Sequence, residues 1–191
     1  MEALLNKAFA QIKREDFVPP ELKSIAGVDE ALPIGEGQTI SQPFTVRFML
    51  EKLRPKAGDK ILDIGSGSGW TCALSAHIVG AKGKIIGIEI LPALAEFGKK
   101  NIAKYTYINK GIVEMICANG ANGYKKEAPY DGILVSASLR DKQLPPAWKE
   151  QLKIGGRIVV PIQNSIWVFT KENEITFREK EYPGFVFVPF V

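Results

Sequence analysis

Apolar, strand-compatible stretches recur at residues 61–64, 84–89, 112–117 and 132–136, and helix-length segments near 69–79 and 92–105 separate the first three. The second of those helices opens on Pro92, whose missing N–H costs nothing in a first turn. Upstream, Leu4, Leu5, Ala8, Phe9 and Ile12 fall at helical spacing, which predicts an amphipathic helix over 2–14, stopped by Pro19 and Pro20. Residues 20–42 read as a long loop. A helix over about 42–53 follows, with Ser41 as its N-cap and Pro43 in its first turn. Beyond 136, a helix over Pro146–Leu152 ends at Gly155-Gly156, and a strand covers Arg157–Ile162. Ser165–Thr170, Ile175–Glu179 and Phe185–Val191 read as antiparallel strands. Strand–helix alternation followed by hairpins predicts a doubly wound, Rossmann-like α/β sheet with antiparallel C-terminal strands.

The 191 residues suit one domain, with N-terminal helices and a loop over 1–53 and the sheet over 54–191. Hydrophobic residues make up 46% and charged residues 24%, an ordinary balance for a globular enzyme. The net charge of +4 is spread among acids, so no nucleic-acid footprint is expected. Cys72 and Cys117 are too few and too far apart for a metal site and read as free, buried thiols of a reducing compartment. No apolar leader or membrane-length run interrupts the sequence, so a cytoplasmic monomer is the expectation.

Candidate chemistry concentrates at Ile61-Leu62-Asp63-Ile64-Gly65-Ser66-Gly67-Ser68-Gly69. A buried strand there runs into glycines spaced G-x-G-x-G, where a nucleoside can press against bare backbone. The next strand, Lys84–Glu89, ends in a carboxylate placed to meet ribose hydroxyls. A dinucleotide turn has G-x-G-x-x-G, whereas here Trp70 stands beyond Gly69. Asp63 would be unwelcome beside a pyrophosphate and suits the cationic amino group of a methionine moiety. These spacings favour S-adenosylmethionine over NAD. The single histidine, His77, falls on the helix after the turn and reads as structural.

Four segments resemble the protein-L-isoaspartate (D-aspartate) O-methyltransferases: "LPIGEGQTISQP" at 32–43, "ILDIGSGSG" at 61–69, "APYDGILVSAS" at 128–138 and "QLKIGGRIVVP" at 151–161. The closing "FVPFV" at 187–191 is also similar. The first segment is particular to that family, whereas the glycine turn occurs in many class I methyltransferases. The resemblance implies the class I S-adenosylmethionine-dependent fold and transfer of the cofactor's methyl to the α-carboxylate of isoaspartyl residues in damaged proteins and peptides. It implies Ser41 as the active-site residue. Cofactor contacts would come from Thr39, Ile40, Asp63, Gly65, Ser66, Gly67, Gly69, Glu89, Ile90, Asn119 and Gly120. Acceptor contacts would come from Gln38, Thr39, Ser41 and the main chain of Val188.

Two departures stand out. The family has Gly-Asp-Gly after the third strand, its aspartate accepting from the adenine amino group, whereas this chain has Ala118-Asn119-Gly120. The neutral asparagine predicts weaker cofactor binding. The N-terminal region is also shorter than in many members. Rival readings are a methyltransferase acting on RNA or a small molecule, and a non-catalytic adenosylmethionine binder.

Overall fold

The computed structural model describes residues 1–190. Helix α1 (Glu2–Gln11) ends at Ile12 in extended backbone, and two 3-10 turns follow at Arg14–Phe17 and Pro20–Ile25. Strands β1 (Leu32–Gly35) and β2 (Gln38–Ile40) form an antiparallel hairpin. Next come α2 (Pro43–Leu53), β3 (Lys60–Ile64), α3 (Trp70–Val79), β4 (Lys84–Glu89), α4 (Pro92–Ala103), β5 (Val113–Cys117) and β6 (Tyr130–Val135). The order closes with α5 (Pro146–Gln151), β7 (Leu152–Ile162), β8 (Ser165–Lys171) and β9 (Phe177–Pro183).

The main sheet runs β5-β4-β3-β6-β7-β8-β9, parallel from β5 through β7 and antiparallel across β8 and β9. β3 is central because both of its faces are apolar: Ile61 packs on one side and Leu62 and Ile64 on the other. Strand order reverses between β3 and β6, so a crevice opens beyond their C-terminal ends, the usual ligand site of such sheets. On the first face, eight of the ten residues of α3 are buried, so this helix is sandwiched between the sheet and α1. Phe9 meets Trp70 edge to face at 5.4 Å to close that layer. The second face is covered by the short α5, whose Trp148 is wholly buried beside Tyr130.

Several expectations need correction. Residues 20–42 hold a 3-10 turn and the β1–β2 hairpin rather than a loop; strands of three and four residues that include Pro33 give too little pattern to read. The first helix stops before Arg14, which opens its own turn. Gly155-Gly156 lie inside β7, where the pairing with β6 shifts register, and do not end a helix. The β9 strand begins at Phe177, later than Ile175. The tail after Pro183 is no antiparallel strand; it makes one parallel bridge, Pro189 to Ser138, because prolines at 183 and 189 remove ladder donors. Val191, the last residue of that expected strand, lies outside the described residues. Cys117 is exposed, not buried, because it ends the edge strand.

Candidate active site

The crevice is a cleft of about 840 Å³ counted out to its mouth, walled by the hairpin on one side and the strand ends on the other. Gly65, Ser66 and Gly67 form its floor, with φ of 72° at Gly65 and 51° at Gly67, backbone that side chains rarely adopt. The N–H groups of Gly65 and Ser66 donate to the Ile88 carbonyl at 2.8 and 3.0 Å, which ties the turn to the end of β4. Glu89 then completes the tie. One of its oxygens accepts from Gly67 N–H at 2.8 Å and the other from Leu91 N–H at 3.1 Å, fixing a buried carboxylate with its remaining lone pairs free.

Gly69 plays a different part from the one expected. A Cβ there would come within 2.7 Å of Ile102, so this glycine lets α3 pack on α4 and does not line the cleft. From α4, Asn101 donates to the Ser68 carbonyl at 3.2 Å and supports the turn from behind.

Asp63 is wholly buried beneath the turn and also does not line the cleft. Its Oδ2 accepts from Thr71 Oγ1 and Cys72 Sγ, while Oδ1 has no partner among the described residues. Burial pushes this carboxyl up to about 6, against the pull of the Thr71 and Cys72 bonds and with a smaller push from Glu89. Thr71 does line the cleft. With its O–H donated in a hydrogen bond to Asp63, its oxygen presents acceptor lone pairs to whatever binds there.

On the opposite wall stand Gln38, Thr39, Ile40 and Ser41, with Val188 and Phe190 from the tail. Ser41 is not the N-cap of α2. Gln42 holds that position without a side-chain bond, and Asp29 accepts from Phe44 N–H at 2.7 Å, capping the helix from fifteen residues upstream. The Ser41 hydroxyl is therefore spared that duty. Its carbonyl accepts from Arg14, whose guanidinium also reaches the carbonyls of Ala26, Val28, Glu30 and Ile40 at 2.7–3.3 Å. Sequence reasoning missed both Arg14 and Asp29, because a charge in a mixed polar segment gives no sign of what it bonds across the fold.

At the far end of the cleft, Gly120 lines the wall and Asn119 does not. Asn119 is exposed and spends its Oδ1 on Ala121 N–H at 2.8 Å, capping a 3-10 turn. The loop is held by α5: Trp148 Nε1 donates to the Gly120 carbonyl and Gln151 bonds Tyr124 N–H and the Asn122 carbonyl. Ile90 lines the cleft from the end of β4. The Val188 carbonyl already accepts from Ser138 N–H at 2.8 Å, so it has less to offer a peptide than expected. His77 stands outside the cleft with Nδ1 3.3 Å from Tyr107 Oη, its pKa lowered by burial and by Lys7.

The model of the family described as protein-L-isoaspartate(D-aspartate) O-methyltransferase matches residues 2–191. A protein-L-isoaspartate O-methyltransferase of Methanopyrus kandleri is 39% identical over 97% of this chain and 82% of its own length. Protein-L-isoaspartate O-methyltransferase 2 of Archaeoglobus fulgidus is 42% identical over 96% of this chain and 83% of its own. Among solved structures, a protein-L-isoaspartate O-methyltransferase superposes with a TM-score of 0.86 at 28% identity; the match covers 97% of this chain but only 60% of that one. A second, from Plasmodium falciparum in complex with S-adenosyl-L-homocysteine, shares the fold with a TM-score of 0.87 at 24% identity, over 98% of this chain and 90% of that one. With the family model covering the chain almost end to end and three of the four motif segments, together with the closing tail, lining one cleft, this chain belongs to the protein-L-isoaspartate (D-aspartate) O-methyltransferase family.

Proposed function

We propose that this chain, working as one domain in the cytoplasm, methylates the free α-carboxylate of isoaspartyl residues in proteins and peptides, with S-adenosylmethionine as methyl donor. The cleft fits that cofactor on observations of its own residues. The glycine turn presents bare backbone to the cleft at Gly65 and Gly67, and each Glu89 oxygen, with one bond to an N–H, keeps capacity for one of two adjacent ribose hydroxyls. The unpartnered Asp63 Oδ1 and the lone pairs of Thr71 leave negative potential beneath the turn for a cationic amino group. Ile90 and Gly120 would flank the adenine, while Asn119 acts by shaping that loop. When bound, S-adenosylmethionine supplies an electrophilic methyl carbon on a sulfonium.

The protein's own task is then alignment. The acceptor's carboxyl has an ordinary pKa near ~3.9 and is ionised at neutral pH, so no general base is required. Ser41 Oγ, free of the helix cap, donates to that carboxylate and fixes which oxygen faces the donor. Ile34, Ile40 and Val46 wall the cleft with buried apolar surface and keep water from the nucleophile. Gln38, Thr39 and the Val188 main chain support the acceptor's backbone.

The observation that carries this reading is the placement of a Ser41 hydroxyl, relieved of the helix cap and without a hydrogen-bond partner among the described residues, on the same cleft as Glu89 and the glycine turn. Incubation with labelled S-adenosylmethionine tests it, using an isoaspartyl peptide, its aspartyl isomer and bulk RNA as acceptors. Label in the isoaspartyl peptide alone is expected. Transfer to RNA, or binding of the cofactor without transfer to any acceptor, would overturn it.

A further inference from the structure

Arg14 is the least conventional charged group in the molecule. Its side chain is 7% exposed, and all five of its hydrogen bonds go to main-chain carbonyls. Those carbonyls belong to one strap, residues 26–41, which leaves the second 3-10 turn, makes the hairpin and ends at Ser41. The guanidinium also lies over the Trp70 ring, 5.5 Å from its centroid. Trp70 is the first residue of α3, directly after the glycine turn, and it lines the cleft. One side chain thus joins the acceptor wall to the cofactor wall.

The energetics say that this joint serves position. Burial drives the Arg14 pKa down to about 10, with Asp29 partly opposing it, so a full charge is held at neutral pH in a place that disfavours it. Its Nε and the Trp70 Nε1 are both buried donors without acceptors among the described residues. What a rigid planar fork supplies here is geometry: it collects carbonyls from Ala26 to Ser41 and sets them at one fixed distance from α3.

We propose that Arg14 is a positioning residue for methyl transfer: by clamping the 26–41 strap onto Trp70, it sets Ile40 and Ser41 at the reacting distance from the cofactor half of the cleft. This rests on the acceptor being aligned from that strap, as argued above. The residue acts through the strap and touches neither substrate.

The test uses the full chain carrying Arg14→Lys, which keeps the charge and loses the fork, and Arg14→Gln, which keeps a planar amide without a buried charge. Each is assayed below its melting temperature for kcat and KM on an isoaspartyl peptide, for S-adenosylhomocysteine affinity by calorimetry, and for hydrogen exchange across residues 26–42. Both variants are expected to lose about 30- to 100-fold in kcat, in line with the cost of roughly 1 Å of misplacement. S-adenosylhomocysteine affinity should stay within about threefold and exchange should quicken across the strap. If Arg14→Lys fails to fold, Arg14→Gln carries the same expectation. A folded variant with unchanged kcat would overturn the proposal, and so would losses of kcat and cofactor affinity in equal measure. Should Ser41→Ala stay fully active while both Arg14 variants lose kcat with a loosened strap, the role of the serine fails and that of Arg14 stands.

Discussion

The glycine turn and the 26–41 strap face each other across one cleft, but they are held by different kinds of bond. The turn is an extension of the sheet: its N–H groups close onto the end of β4, and Glu89 and Asn101 add side-chain support. The strap pairs mainly with itself in a short hairpin. Besides the buried side chains of Ala26, Leu32, Ile34 and Ile40, what fixes it to the rest of the protein is a guanidinium twelve to twenty-seven residues away and the Asp29 carboxylate at the start of α2. The turn therefore shares the stability of the central strands, whereas the strap can loosen when one side chain changes. Cofactor affinity and acceptor alignment should accordingly be separable by mutation.

The largest expected effect lies on the turn side. Asp63 holds its proton to about pH 6 when folded and releases it near 3.8 when unfolded. Between those values the folded state binds more protons, so its contribution to stability is fully present below about pH 4 and is lost as pH rises through 6. The loss is about 3 kcal/mol at most, from about two pKa units. Chemical denaturation of Asp63→Asn beside the parent should show that gap opening between about pH 4 and pH 6.5. A constant gap would mean that Asp63 titrates normally.

Glu89→Ala comes next. It removes the acceptor for Gly67 and Leu91 N–H together with the carboxylate proposed to hold the ribose. Affinity for S-adenosylhomocysteine should fall by about 1.5–3 kcal/mol, and calorimetry reads it directly. Asp29→Ala is the matching change on the strap. It should cost about 0.5–2 kcal/mol of stability through the lost cap on α2, seen as a lower melting temperature, while cofactor affinity holds. An equal loss of cofactor affinity would erase the distinction between the two walls. The smallest effect belongs to Asn119→Asp, which keeps the cap on Ala121 and should change affinity by less than about 0.5 kcal/mol.

The same contrast explains what could be read from the sequence. The β3 turn and the carboxylate at Glu89 were legible because a buried strand, its glycines and the next strand's last residue are local patterns with fixed spacing. The segment around Ser41 was legible only as a family motif. Its hairpin has too few residues for a periodic signal, and the cap that frees Ser41 comes from Asp29, which no local rule connects to Phe44. Asn119 misled for a related reason. Its position after β5 was right, but a hydrogen bond two residues ahead turned it from the cleft, and its neighbour Gly120 reached the wall instead. Gly69 matched the motif and served packing, because helix–helix approach and ligand approach ask for the same residue.

The central claim is that Ser41 aligns the acceptor and leaves cofactor binding to the other wall. Ser41→Ala should lower kcat on an isoaspartyl peptide by about 10²-fold while S-adenosylhomocysteine affinity stays within about twofold. No stability loss from a missing cap should accompany it, since Asp29 holds that role. Full turnover by Ser41→Ala would contradict the account.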